Sequence, residues 1–224
     1  MRVAAGLAIL LASSAAAAEP PALPGLATGG SRVAVAPDRP PWDAIVKVQT
    51  NIGTRCTGVL ITAATVATAA HCLYNKLTRA MLQPISLHVL IGYQRGGYRV
   101  HLTVAHYRTG EGADWAVLDL AAPAPADIAP LPLAMEWPAP GGAVAFAGYN
   151  QDRAQILLAD LSCHVTGFAE ADGMRLIAHD CAGTRGTSGG PLLQRRDAGW
   201  EVVGIEIAAA GRANLAFPAA ALPR

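Results

Sequence analysis

The feature that most limits the fold is a series of short apolar runs rich in β-branched residues. They include AIVKVQT, CTGVLIT, ISLHVLIG and WAVLDL, and Gly, Pro, Asn or Thr separates each run from the next. Runs of this length with turn residues between them are typical of the strands of β-sandwiches and β-barrels. A long stretch of helical periodicity is absent from the sequence. The pattern therefore predicts an all-β protein.

A proline-rich segment divides these runs into two groups. Residues 121–142 contain six prolines, and proline cannot continue a regular helix or lie in the interior of a sheet. We therefore predict two β modules, residues 33–122 and residues 140–224, which a linker over residues 123–139 connects.

The N-terminus has the pattern of a secretory signal peptide. A basic start is followed by a short apolar run, and three alanines at residues 16–18 form a small-residue cleavage site. The alternative, a membrane anchor, needs a longer apolar run. We predict a signal peptide over residues 1–18 and a secreted or periplasmic protein with no membrane attachment after signal removal. Residues 19–32 are rich in Pro, Gly and Ala, and they are interpreted as a leader or propeptide.

The charge balance argues against a polyanionic partner. Without residues 1–18 the chain carries 16 basic and 16 acidic residues. A neutral chain has no electrostatic basis for binding nucleic acid, so no nucleic-acid partner is predicted.

The four cysteines are Cys56, Cys72, Cys163 and Cys181. An even number in an exported chain favours two disulfides. Three pairings are open, and the one between sequence neighbours joins Cys56 to Cys72 and Cys163 to Cys181. Metal binding is the alternative, because histidines lie beside or near three of these cysteines. The spacings C-x-x-C and H-x₃-H are absent, however, so we predict neither a metal nor another cofactor.

A candidate nucleophile lies in the segment RGTSGGP, where Ser188 is surrounded by three glycines and a proline. An activated serine needs a general base and a group that orients the base. His71 in TAAHC and Asp114 in GADWAVLDL are the candidates for these roles. The motif G-x-S-x-G of α/β-hydrolases also fits this segment, but that fold carries its histidine after the serine. All six histidines of this chain precede Ser188.

Taken together, these segments resemble the trypsin/chymotrypsin-like serine peptidases, in particular the secreted bacterial branch related to the glutamyl endopeptidases. Residues 68–72 match the histidine block T-A-A-H-C, residues 114–118 match the aspartate block, and residues 186–191 match the serine block G-D-S-G-G-P at every position except Thr187. The resemblance runs from about Trp42 to the C-terminal end of the chain.

The resemblance implies a fold of two antiparallel β-barrels with the active site at their interface. It also implies a secreted, monomeric serine endopeptidase that cleaves protein or peptide substrates through an acyl-enzyme. Two alternatives stay open. One is a peptidase-like binding protein with weak or no catalysis, and the other is an esterase.

The same resemblance assigns roles to individual residues. Ser188 is the expected nucleophile, His71 the general base, and Asp114 the residue that orients the imidazole. The backbone N–H groups of Gly186 and Ser188 would form the oxyanion hole. A disulfide between Cys56 and Cys72 would hold the histidine turn against the neighbouring strand.

Thr187 stands where this family usually has an aspartate that pairs with a freed N-terminal amine. Threonine cannot form that ion pair. Two explanations are open. Either the oxyanion loop is preformed, or the Thr187 hydroxyl bonds to a local backbone group.

The substrate pocket also departs from the family pattern. The candidates for pocket residues are Ala182, six residues before the serine, and Glu206, Ala208 and Ala209 on a late strand. Glu206 occupies the position at which glutamyl endopeptidases carry a histidine. It would either attract Lys or Arg side chains of a substrate or pair with Arg185 or Arg212. The five histidines other than His71 are interpreted as structural or exposed.

Overall fold

The computed structural model describes residues 23–26, 31–171, 173–197, 199–210 and 213–223. The predicted signal peptide lies outside these residues, as does most of the predicted leader. Strands form nearly all of the regular structure, as the short β-branched runs predict. The strands are β1 Arg32–Ala34, β2 Ile45–Thr50, β3 Arg55–Thr62, β4 Thr65–Thr68, β5 Tyr74–Asn75, β6 Ala80–Met81, β7 Leu87–Ile91, β8 Val100–Thr109, β9 Ala116–Leu120, β10 Ala143–Gly148, β11 Leu158–Ala171, β12 Met174–His179, β13 Pro191–Arg196, β14 Gly199–Ala210 and β15 Ala213–Pro218. The helical turns are 3₁₀ segments at Trp42–Ala44, Ala70–Leu73, Pro84–Ser86, Gln151–Arg153 and Ala219–Ala221.

The first sheet is a closed barrel of six antiparallel strands in the order β2–β3–β4–β9–β8–β7. The interior is filled by aliphatic side chains such as Val48, Leu60 and Leu118, each at most 1% exposed. Closure leaves no unpaired sheet edge, and it requires the apolar runs of all six strands to face one core.

The second sheet has the strand order β1–β11–β10–β13–β14–β15–β12. Because β12 also pairs with β11, six of these strands form a closed ring, to which β1 adds at the edge of β11. The fold is therefore all-β with two antiparallel barrels, which confirms the predicted fold class.

Strand β1 belongs to the second sheet although it precedes the first barrel in the chain. Its residues pair with residues 158–160 of β11. The Arg32 guanidinium donates to both carboxylate oxygens of Asp152, at 2.9 and 2.8 Å. The start of the predicted N-terminal module is thus attached to the opposite barrel.

The proline-rich segment between β9 and β10 crosses from one barrel to the other. Its Leu131 amide donates to the carbonyl of Leu60 in the first barrel, at 2.9 Å. Its Ala134 amide donates to the carbonyl of Val202 in the second barrel, also at 2.9 Å. The division into residues 33–122, 123–139 and 140–224 stays a prediction.

Two disulfides join sequence neighbours among the cysteines. Cys56–Cys72 connects β3 to the 3₁₀ turn Ala70–Leu73, and Cys163–Cys181 connects β11 to the segment after β12. His71 and Asp180 lie close to the sulfur atoms of these pairs. Cysteines that are bonded to each other are not thiolates, and the thiolate is the form that binds metal. Across the described ranges, no helix has the length and apolar character that a membrane crossing requires.

Candidate active site

Asp114 holds His71 through two hydrogen bonds. One Asp114 oxygen lies 2.7 Å from Nδ1 of the His71 ring, and the other accepts the backbone N–H of His71 at 2.8 Å. His71 lies on the turn Ala70–Leu73 directly after β4, and Asp114 lies directly before β9, the strand that pairs with β4. Strand pairing in the first barrel therefore brings together two residues that are 43 positions apart.

Ser188 is supplied by the second barrel and attached to the first. Its carbonyl oxygen accepts the N–H of Thr57 on β3 at 2.9 Å. The same oxygen lies 3.9 Å from the sulfur of Cys72, the residue after His71. These contacts fix the Ser188 backbone next to the histidine turn.

His71 and Ser188 line one open cleft of about 590 Å³ between the barrels. Within the described part of the chain, no hydrogen bond joins the Ser188 hydroxyl to the His71 ring. Catalytic hydrogen bonds are often long in free enzymes and tighten when substrate binds. The cleft also contains Arg55 and Arg185, two guanidinium groups at its rim.

Glycine is required at two positions of the serine loop. Gly186 has a φ of +94°, and a Cβ at this residue would lie 2.4 Å from the Tyr149 carbonyl oxygen. Gly189 has a φ of +82°, and its Cβ would lie 2.1 Å from the Thr68 hydroxyl. Any side chain at either position would push the loop away from its neighbours.

The loop leaves two amides free at the cleft. Among the described residues, the N–H groups of Gly186 and Ser188 have no hydrogen-bond acceptor, whereas the amides of Thr187, Gly189 and Gly190 donate to carbonyl oxygens. Two unpaired donors beside a nucleophile are the arrangement that stabilises a developing oxyanion.

Thr187 forms a local hydrogen bond, as the second of the two explanations predicts. Its hydroxyl donates to the carbonyl of Thr184 at 2.7 Å, and its side chain is almost fully buried. The position that carries an acid in the resembled family is therefore occupied here by a neutral donor with its own partner.

A small pocket of about 90 Å³ adjoins Ser188, and three of the four predicted pocket residues line it: Glu206, Ala208 and Ala209. The fourth, Ala182, does not line it. Ala182 is buried, and its amide donates to the carboxylate of Asp160 at 2.8 Å.

Among the described residues, the charged partner of Glu206 is a histidine. Oε2 of Glu206 lies 2.8 Å from Nε2 of His179, and both side chains are buried. Of the two arginines suggested by the sequence, Arg185 makes no such contact and Arg212 lies outside the described residues. Burial raises the pKa of the Glu206 carboxyl, and the neighbouring His179 opposes that rise. The Nδ1 atom of His179 is buried and has no partner among the described residues.

The described part of the predicted leader packs against this pocket. Residues 23–26 form a turn in which the carbonyl of Gly25 accepts the amide of Gly183 at 3.0 Å and Nδ2 of Asn214 at 3.2 Å. A Cβ on Gly25 would lie 3.0 Å from the Cβ of Ala209 on the pocket wall. The turn therefore lies beside Ala209, which lines the pocket, and beside Gly183, which directly precedes the lining residue Thr184.

Sequence reasoning missed three groups near the site. They are the Thr57 hydroxyl, which donates to the Gly186 carbonyl at 2.9 Å, the ring of His179, and the buried side chain of Lys47. Their sequence surroundings carry no catalytic motif. A lysine in an apolar strand is the one signal that was available, because charged side chains are rarely buried without a specific partner.

Comparison with known proteins identifies the family and agrees with the fold. The family model described as Trypsin matches residues 28–223. A solved structure of a Glu endopeptidase in complex with MPD superposes with a TM-score of 0.74 at 20% sequence identity, covering 88% of this chain and 94% of that chain. No curated protein sequence matches this chain.

Proposed function

Because this chain belongs to the trypsin family, we propose that it is a secreted serine endopeptidase that hydrolyses peptide bonds through a Ser188 acyl-enzyme. One observation carries the proposal: Asp114 makes two hydrogen bonds to His71 on the wall of the cleft that also holds Ser188.

The proposed reaction uses each group in turn. The Ser188 hydroxyl attacks the substrate carbonyl, while Nε2 of His71 removes its proton and then gives it to the leaving amine. Asp114 keeps the proton of the imidazole on Nδ1 and stabilises the imidazolium. The amides of Gly186 and Ser188 bind the oxyanion, and the loss of one such donor typically raises the barrier by about 3 kcal/mol. Water then attacks the acyl-enzyme while His71 removes its proton. His71 returns that proton to the Ser188 oxygen, which is the leaving group of this second step.

The substrate is a protein or peptide chain bound in an extended conformation. Ala208 and Ala209 are exposed near the end of β14 and border the pocket beside Ser188, so a peptide backbone can approach there. The buried Glu206–His179 pair, at the wall of that pocket, is the group we expect to influence the side chain that precedes the cut.

Export to an oxidising compartment is part of the proposal. Two disulfides in a chain of this size fit a secreted or periplasmic protein. Mass spectrometry of the exported form, with cleavage expected after residue 18, tests this assignment.

A fluorophosphonate probe tests the catalytic assignment. We expect stoichiometric labelling of the wild-type protein at Ser188, and we expect the Ser188→Ala variant to lose both labelling and casein hydrolysis by at least about a thousandfold. Ser162→Ala, which removes an exposed serine on β11, is the matched control and should retain wild-type activity.

The alternatives give different results in the same assay. Labelling with hydrolysis of a nitrophenyl ester but not of casein would make the protein an esterase. A wild-type protein that does not react with the probe would be a peptidase-like binding protein, and the proposal would be wrong.

A further inference from the structure

The oxyanion loop, residues 184–188, is supported by a segment of the second barrel, residues 149–155. The amide of Gln151 donates to the carbonyl of Arg185 at 2.7 Å, and the amide of Thr184 donates to the Asn150 side chain at 3.1 Å. The carbonyl of Tyr149 packs directly against Gly186. The position of the supporting segment therefore sets the position of the loop amides.

Lys47 of the first barrel holds this supporting segment. It lies on β2 and is only 1% exposed, and its ammonium group donates to the carbonyl of Ala154 at 2.8 Å. The ammonium lies 3.7 Å from the centre of the Tyr93 ring and 5.5 Å from that of Tyr149. These two rings also contact each other edge to face, and the Tyr149 hydroxyl donates to the Tyr93 carbonyl. A cation against two aromatic faces gains electrostatic stabilisation that a neutral side chain would not.

Lys47 also has a direct neighbour that touches the oxyanion loop. Thr57 is its pairing partner on β3. The Thr57 hydroxyl donates to the Gly186 carbonyl and accepts the Tyr149 amide at 3.0 Å. Two adjacent residues of the first barrel thus contact the loop and its support from the same side.

The Thr187 hydroxyl bonds within the loop itself, so it does not connect the loop to the first barrel. Burying an ammonium is unfavourable unless specific partners compensate for the lost hydration. Among the described residues the Lys47 ammonium has one hydrogen-bond acceptor, Ala154. Burial, with a smaller effect from Arg55, lowers the pKa of Lys47 to about 8, so the group is still mainly protonated at pH 7.

We propose that Lys47 is a positioning residue for catalysis, which holds residues 149–155 against the oxyanion loop and so keeps the Gly186 and Ser188 amides aimed at the cleft. This inference rests on the proposed serine peptidase function. In this proposal, a buried lysine of the first barrel anchors the oxyanion loop of the second barrel.

The variant Lys47→Met keeps an unbranched apolar side chain about as long as the aliphatic part of lysine and removes the ammonium group, and with it the charge and the donor. We expect kcat for an ester and a peptide substrate to fall about tenfold to a hundredfold, with KM changed less than about threefold, because the loss is in oxyanion stabilisation. The rate of fluorophosphonate labelling should fall by the same factor. Val48→Ala is the matched control: it truncates a buried residue of the same strand on the opposite face, and should lower stability but leave kcat unchanged.

Chemical rescue separates positioning from general support of the fold. Two cavities of about 210 and 300 Å³ have Lys47 among their lining residues. In Lys47→Ala, added methylammonium or ethylammonium should restore part of the lost kcat in a saturable manner, whereas methanol at the same concentration should not. Val48→Ala should not respond to either compound.

Three outcomes overturn the inference. They are wild-type kcat in Lys47→Met, a loss of kcat that small ammonium ions do not restore, and a loss that Val48→Ala reproduces at equal stability. A wild-type protein that the fluorophosphonate does not label would instead overturn the proposed function, so the two failures are distinguishable.

Discussion

Thr187 shows how a single buried residue can replace a charged anchor in the serine loop. Its hydroxyl donates to the carbonyl of Thr184 at 2.7 Å, and its amide donates to the same oxygen at 3.1 Å. Threonine therefore closes a short turn with two hydrogen bonds and needs no cation. An ionised aspartate at this position would place a carboxylate oxygen, which only accepts hydrogen bonds, against the carbonyl oxygen of Thr184, which also only accepts them.

We expect Thr187→Asp, which installs the residue usual in the family, to destabilise this protein. A buried carboxylate without a paired cation should lower the free energy of unfolding by about 3 kcal/mol or more. Thr187→Ser keeps the donor and should stay within about 1 kcal/mol of wild type, since it loses only a methyl group. Urea unfolding of the three proteins measures the difference. A Thr187→Asp protein as stable as wild type would show that another cation reaches this site.

The turn Ala70–Leu73 is the structural element on which the histidine depends. It follows β4 directly and is attached to β3 by Cys56–Cys72. Strand β3 also carries Thr57, which contacts both Ser188 and Gly186. One disulfide therefore links the turn that carries His71 to the strand that contacts Ser188 and Gly186.

The two disulfides permit a matched comparison, because their cysteines are 16 and 18 residues apart. Chain-entropy arguments give each a contribution of about 3 kcal/mol to stability. We expect Cys56→Ala/Cys72→Ala and Cys163→Ala/Cys181→Ala to lose similar stability in denaturant titrations. Only the first pair should lower kcat, by about tenfold or more, because only that disulfide adjoins His71. An equal loss of kcat in both variants would contradict this prediction.

At the scale of the whole molecule, the site exists only where the two barrels meet. The first barrel supplies His71 and Asp114, and the second supplies Ser188. Contacts that cross the boundary include Thr57 to Ser188 and Lys47 to Ala154. The relative position of the barrels thus controls the distance between His71 and Ser188, the proposed base and nucleophile.

The buried lysine at this boundary should appear in the pH dependence of stability. Burial lowers the pKa of Lys47 from 10.5 to about 8, with Arg55 adding to the effect, and Arg185 lines the same cavity. Between these two pH values the unfolded chain binds more protons than the native protein, so the free energy of unfolding should gain a contribution that rises with pH.

Lys47→Met should lack this rise, and the difference from wild type between pH 8 and 10 is the quantity to measure by denaturant titration. Burial raises the pKa of Tyr149 above its ordinary value of 10. This group therefore makes the free energy of unfolding fall with pH, but only above about pH 10. Identical pH profiles for the two proteins would show that Lys47 is solvated in the native state.

The sequence predicted the class of fold correctly, and the assignment of the site residues stays a prediction. Short β-branched runs specify strands because burial on a pleated sheet favours those side chains. The predicted residues His71, Asp114 and Ser188 lie at the ends of elements, where local motifs are readable. The sheet partner of β1 was not readable, because the backbone pairing with residues 158–160 depends on no side-chain pattern.

The sequence by itself determined the strand pattern and the candidate nucleophile and base, because each depends on residues close together in the chain. It left three pairings of the four cysteines open, and the structure decided that sequence neighbours are joined. The tertiary structure alone decided that Glu206 meets His179, and that Lys47 lies buried against Tyr93 and Tyr149. Lys47 and its acceptor Ala154 are 107 positions apart, and Glu206 and His179 are 27 apart. For residues so far apart in the sequence, the closure and docking of the barrels decide which groups surround a charged side chain. Burial removes water, so each buried charge has only the partners that the fold provides.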